Sequence, residues 1–343
     1  MTTVQVAAVV LWLGVTAYAV FGGADFGAGF WDLAAGGTRR GLRPRALIAD
    51  AIGPVWEANH TWLIFDLVIL WTAFPPAFAA IMSTLFVPLS LAAFGIVLRG
   101  AAFAFRPVAT GLSGRRAAGA IFAASSVITP FFLGAAGGAI ASGRVPAGNA
   151  AGDPFASWLN PTSALIGVLA VAACAYLAAV LLVADARRRA DPELVDYFRR
   201  RAVAAAVATG ALAIAGIAVL RADAPVLADE LTGRGWPLVV ASGVLGTAAL
   251  ALLRRGAPGV TRVLAAGAVV AVVWGWGAAQ YPDVLPGSLS LAQAAAPQGA
   301  LEALVVIFVV AAVVIGPSLA FLYRLDERGR LVGHGVGSDV RKG

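Results

Sequence analysis

Cysteine occurs once in the 343 residues, histidine and methionine twice each, and charged residues make up only 13%. Each scarcity excludes something. Cys174 lies alone in an apolar run, so no internal disulfide is available and it reads as a small packing residue. His60 and His334, with Met1 and Met82, do not readily supply a pair of axial iron ligands, so no haem or metal site is expected on this chain alone. His60 reads instead as a helix-packing or proton-path histidine. No zinc-ligand spacing or nucleophile triad is visible, and the glycine-rich stretch at 22–29 lacks the strand–turn–helix setting of a phosphate loop. No basic region precedes the first apolar run and no small-residue cleavage site follows it, so that run is expected to be a retained span.

What is present is apolar. The chain is 60% hydrophobic, with a mean hydropathy of +0.86. A soluble domain could not hide that much apolar surface, so the sequence predicts an all-α, polytopic transmembrane helical bundle. A spanning helix needs about 20 apolar residues. That length fits about nine spans, near 4–33, 46–73, 77–104, 116–142, 161–186, 201–221, 236–254, 259–281 and 300–324, in one integral membrane domain over 1–343. The loops between them are short, and several carry the proline and glycine that suit turns.

The net charge of +7 raises nucleic acid as a partner, and the placement of the charge excludes it. All but three of the 25 basic residues, Arg144, Arg221 and Arg234, fall on one side of the predicted spans. The positive-inside rule then puts the N-terminus outside and the C-terminus in the cytoplasm, as an odd number of spans requires.

The acids are uneven too. Asp25, Asp32, Asp50, Glu57 and Asp66 crowd the first two spans, and the later spans carry almost none. An ionisable group at mid-bilayer costs roughly 2.5–3.5 kcal/mol even on the mildest scale, so by default it marks a function. Asp25 and Asp32 are seven residues apart, as are Asp50 and Glu57, and in unbroken helices each pair shares a face. His60, three beyond Glu57, lies near that face, whereas Asp66 points the opposite way. At about 1.5 Å per residue, Asp25 lies roughly 12 Å and Glu57 roughly 16 Å inside the membrane. Asp32 and Asp50 then sit below them, in a ladder suited to proton intake from the cytoplasm. Arg99 and Arg106 flank an aromatic run at the cytoplasmic end of the third span. They are either snorkelling anchors or partners of a buried acid or propionate.

Several strings resemble subunit II of the cytochrome bd-type quinol oxidases. They are Gly23-Ala24-Asp25-Phe26-Gly27-Ala28-Gly29, then Gly53-Pro54-Val55-Trp56-Glu57-Ala58-Asn59 followed by Trp62-Leu63, then Phe74-Pro75, Arg99-Gly100 and Phe103-Ala104-Phe105-Arg106. The likeness is strong over the first third and rests on length and topology beyond it. It implies a subunit that supports a haem-bearing subunit I in a heterodimer of the bacterial cytoplasmic membrane, in a complex oxidising quinol and reducing oxygen to water. Haem b and haem d are then ligated mainly by the partner. A quinone or lipid can sit on this chain, and a small single-span subunit can accompany it.

By that resemblance Glu57 and Asp25 fall on the family's acids in spans 2 and 1. Asp50, Asn59 and His60 join the proton path, and Trp56, Arg99 and Arg106 are cofactor-side residues. Four positions depart from the usual pattern: Glu57-Ala58 stands for Asp-Gly, His60 for Gln or Glu, and Ala104 for an acid. The rival readings are a stand-alone proton-coupled transporter, which shares the acids but not the haem-bearing partner, and a scaffold whose acids are silent.

Overall fold

The computed structural model describes residues 1–37, 40–53, 55–105, 111–255 and 257–327. The chain opens with α1 (Thr3–Ala17), passes through a π-helical turn (Tyr18–Gly22) and runs on without a break into α2 (Gly23–Leu33). A capping box starts it: the Thr2 hydroxyl accepts from Gln5 N–H, and the Gln5 side chain accepts from Thr2 N–H. The whole 31-residue rod is about 46 Å long at 1.5 Å per residue, more than a bilayer core needs.

Next come α3 (Leu42–Ile52), α4 (Trp56–Ala73), α5 (Pro75–Thr84), α6 (Phe86–Phe105), α7 (Gly111–Ala141) and α8 (Pro161–Arg188). The expected single span over 46–73 is therefore two helices. The sequence holds a proline at 54, which lacks an N–H and disfavours helix in the residue before it. Val55 leaves the helical region at φ −126, and α3 turns away to pack on α2 and α8 rather than continuing α4. The expected span over 77–104 is likewise divided at Leu85 (φ −101, ψ 24). Pro88 cannot donate to the carbonyl of Thr84, and its ring would clash there in a continuous helix.

The second half holds α9 (Pro192–Asp223), α10 (Pro225–Gly233), α11 (Trp236–Arg255), α12 (Pro258–Gln280), the hairpin β1 (Asp283–Leu285) and β2 (Leu289–Ser290), α13 (Leu291–Ala294) and α14 (Gln298–Glu327). Proline at the first turn with Asn160 or Asp191 as the cap starts α8 and α9. α9 begins at Pro192 rather than near 201, so its first turns run through the basic segment.

Eight of these helical stretches are long and apolar enough to cross a membrane. Of the expected spans, the one over 46–73 is missing from these eight: α4 has 18 residues and reaches about 27 Å, but Glu57, Asn59, His60 and Asp66 make it polar. The architecture is the polytopic helical bundle read from the sequence.

Burial sets the helices apart. α8 is the axis, with 56% of its apolar window buried against 6% for α14. Small residues let neighbours approach it closely. A methyl on Gly27 of α2 would fall 1.8 Å from the carbonyl oxygen of Cys174, and one on Gly138 of α7 would fall 2.7 Å from Ser163 Cα, so backbone lies against backbone at both places. One apolar core gathers Leu47, Ile48, Phe122, Leu182 and Phe198 around α8. A second gathers Val10, Ile69, Phe74, Leu85 and Leu285 under the hairpin and loops of the opposite end.

Candidate functional site

The π turn and α2, with α4, α6 and α7, enclose a polar cluster. Asp25, three residues past the π turn, is 4% exposed. Its Oδ2 accepts a hydrogen bond from Asn59 Nδ2 of α4 at 2.8 Å. Arg99 of α6 reaches in beside it and is itself only 2% exposed.

Three nitrogens of Arg99 donate in three directions: Nη2 to the backbone carbonyl of Asp25 at 2.8 Å, Nε to Ser126 Oγ of α7 at 3.1 Å, and Nη1 to His60 Nε2 of α4 at 3.1 Å. Ser126 keeps its own proton for the Phe122 carbonyl, 2.7 Å away. The guanidinium carbon lies 5.0 Å from the centroid of Phe26 and 5.1 Å from that of Phe122, so two ring faces flank the cation. A buried charge held in this way keeps its hydrogen bonds, and the nearby Asp25 carboxylate supplies the opposite charge.

Glycine makes this convergence possible. A methyl on Gly29 would stand 2.1 Å from Ser126 Oγ, and one on Gly95 would stand 2.3 Å from Thr129 Oγ1. The Gly-x-Asp-x-Gly-x-Gly string is thus a packing device that brings the acid of α2 under α7 and α8.

His60 has both ring nitrogens engaged. Nε2 receives the Arg99 proton, and Nδ1 lies 3.4 Å from the Tyr18 hydroxyl in the π turn. Neither nitrogen is free for iron, so the residues around His60 do not fit a haem ligand set. Trp56 packs on Phe103 at 5.5 Å and on His60 at 6.3 Å between ring centroids. With Ile52, Arg99 and Phe122, these two aromatics line a shallow, closely packed depression.

The sequence-predicted residues therefore divide. Asp25, Asn59, His60 and Arg99 come together, with Trp56 at their edge. Glu57 lies in the first turn of α4 and is exposed. It has no hydrogen bond or ion pair among the described residues. Its depth cannot be counted along a helix from 46, because α4 begins at Trp56.

Asp50 does not share a face with Glu57. It sits on α3, where it pairs with Arg189 of the α8–α9 turn at 2.9 Å, with both side chains nearly half exposed. The broken helix removes the ladder step assigned to it. Asp32 is buried and faces Arg45 Nε at 3.6 Å. Arg106 and His334 lie outside the described residues. Ala104 is exposed and plays no part in holding Arg99.

Tyr18 and Ser126 belong to the cluster and were not singled out from the sequence. The π turn between Tyr18 and Asp25 shifts the helical register and hid Tyr18 from a spacing argument: its ring meets Phe26, eight residues on, at 6.3 Å between centroids.

An apolar bundle that folds an acid, an amide, a histidine and an arginine into its interior defines the class: an integral membrane protein with a buried ionisable centre. The chain belongs to the cytochrome bd terminal oxidase subunit II family, whose pattern matches residues 3–326. The cytochrome bd ubiquinol oxidase subunit 2 of Bacillus subtilis (strain 168) is 33% identical over 112 residues, which are 33% of this chain and 32% of that protein. The chain thus spans about a third of the length of that relative. A chain in the solved structure of the bd oxidase from Geobacillus thermodenitrificans superposes with a TM-score of 0.76 at 25% identity, covering 95% of this chain and 98% of that one.

Proposed function

We propose that this chain is subunit II of a quinol-oxidising, oxygen-reducing complex of the bacterial cytoplasmic membrane. In this reading it supports a haem-bearing subunit I and lends acids to a proton path from the cytoplasm. The b- and d-type haems belong on subunit I and supply the electron transfer and oxygen chemistry there.

The observation that carries the reading is the contrast between Glu57 and Asp25. Asp25 is enclosed and hydrogen-bonded, whereas Glu57, two residues before Asn59 on α4, is exposed and unpartnered on an apolar helix face. A carboxylate facing lipid is costly, so the Glu57 face is one for another subunit to cover. Glu57 then takes and releases protons at the subunit contact. Asn59 holds Asp25 in a fixed orientation, and the Arg99 charge keeps the interior site polar.

The test replaces Glu57 in the assembled complex. Glu57→Gln is expected to lower quinol-driven oxygen consumption and proton uptake about 10²-fold, the low end of what general acid–base groups contribute. Glu57→Asp should retain most of both. Unchanged oxygen consumption and proton uptake in Glu57→Gln would remove Glu57 from the path.

A further inference from the structure

Two buried polar atoms on α4 lack a protein partner: the Trp62 indole N–H and Asp66 Oδ1. The residues are four apart, so one helical turn puts the orphan donor and the orphan acceptor on the same face of α4. That face looks onto α1. A methyl on Gly14 would fall 2.0 Å from Asp66 Oδ1, so the absent side chain is what admits the carboxyl to the seam.

Tyr18 is four residues beyond Gly14 on the same side of the rod. Its ring shares an apolar cluster with Trp62. The cluster described above also fixes the direction of the Tyr18 proton. Arg99 can only donate, so His60 Nε2 accepts and Nδ1 carries the imidazole proton toward the Tyr18 oxygen. The Tyr18 O–H is left to donate elsewhere.

The surroundings of Asp66 contain nothing to balance a negative charge. No cation pairs with it among the described residues. On α4 its neighbour Phe65 packs against Phe308 of α14 at 6.0 Å between centroids, and Thr16 of α1 already donates to the Trp12 carbonyl. An uncompensated carboxylate inside a bilayer is strongly disfavoured, and a neutral acid removes the charge.

We propose that Asp66 is a proton-holding carboxyl and that, with Trp62 and Tyr18, it forms a small internal water site branching from the His60–Arg99 cluster along the α1–α4 seam. A water there accepts the Trp62 N–H and bridges to Asp66, satisfying both orphan atoms. As a branch of a proton path it rests on the proposed function. The protonation of Asp66 does not, and it is read without turnover.

The test is infrared difference spectroscopy on the intact complex. The difference between wild type and Asp66→Asn is expected to contain the carbonyl stretch of a protonated carboxylic acid. Asp66→Glu, which keeps the group if the amide variant does not assemble, should retain that band at a shifted frequency. Tyr18→Phe should shift it as well. A carboxylate stretch in place of the acid band, or an acid region that Asp66→Asn and Asp66→Glu both leave unaltered, overturns the proton-holding assignment. An acid band that Tyr18→Phe leaves unmoved overturns the branch. Failure of the wider proton path would show instead in the turnover of Glu57→Gln, with the Asp66 band intact.

Discussion

His60 Nε2 lies 3.1 Å from Arg99 Nη1, and because a guanidinium only donates, this contact fixes the imidazole as the neutral tautomer with its proton on Nδ1. Two residues from different helices thereby set each other's state: Arg99 supplies the charge and His60 absorbs one of its protons without adding a second cation. The histidine read from the sequence as a helix-packing or proton-path residue is the acceptor of a buried arginine.

Replacing Arg99 tests this arrangement. Lysine carries one nitrogen in place of a fork and cannot reach Ser126, His60 and the Asp25 carbonyl together, nor lie flat between Phe26 and Phe122. Arg99→Gln removes the cation beside Asp25 and the three hydrogen bonds it donates, leaving the Asp25 carbonyl and His60 Nε2 short of a donor, at about 1–3 kcal/mol for each buried group left unsatisfied. Both variants should lower Tm in detergent and the yield of assembled complex. Adding Asp25→Asn to Arg99→Gln should restore part of the loss, with a coupling of roughly 0.5–3 kcal/mol. Strict additivity of the two single changes would mean that the residues are not electrostatically joined.

Much of this centre was legible beforehand because mid-membrane polarity is rare. Asp25, Asn59, His60 and Arg99 stand out against apolar neighbours, and the structure brings those four together. What failed were the inferences that assumed an unbroken helix over 46–73. Asp50 and Glu57 share a face only if 46–73 is one rod, and the proline at 54 ends that assumption. The proline was visible, but prolines also occur inside the helices here, as Pro130 and Pro317 do, so its effect depended on where α3 could pack. Ser126 was hidden for a different reason: a serine in an apolar helix usually satisfies itself on its own backbone, as Ser125 does through Ile121 and Phe122. Only the third dimension shows which of the two also receives Arg99.

The α2–α8 contact makes a sharp prediction about glycine. An alanine at 27 would place its methyl 1.8 Å from the Cys174 carbonyl oxygen, a backbone atom that cannot swing aside. Gly27→Ala should destabilise the chain by at least about 1–3 kcal/mol, the usual scale of overpacking, and should lose assembled complex. Gly246→Ala on α11 is the control: its methyl would meet Ala268 Cβ at an ordinary 3.9 Å, and alanine favours helix, so Tm should hold or rise slightly. Equal melting of the two variants would show that α2 and α8 are not in backbone contact.

The final prediction lies outside the membrane, where α9 begins. The Asp191 side chain accepts from Leu194 N–H as the helix cap, and Arg43 of α3 donates to it at 2.7 Å and also reaches Glu193. The capping N–H and the neighbouring guanidinium hold the Asp191 carboxyl below the ordinary carboxylate range. The sign follows: a group whose folded pKa is depressed adds stability above its unfolded pKa of about 3.9, and that contribution is lost as pH falls through the folded value. Asn caps a helix as well as Asp but carries no charge, so Asp191→Asn removes the ion pair alone, and Asp191→Ala removes the cap as well. At neutral pH, Tm should fall in the order wild type, Asp191→Asn, Asp191→Ala. The first gap should narrow in high salt and close at acid pH, while the second persists, because a neutral cap still accepts its hydrogen bond. A first gap that is as wide at acid pH as at neutral pH would mean that Arg43 does not fasten α3 to α9 through this carboxylate.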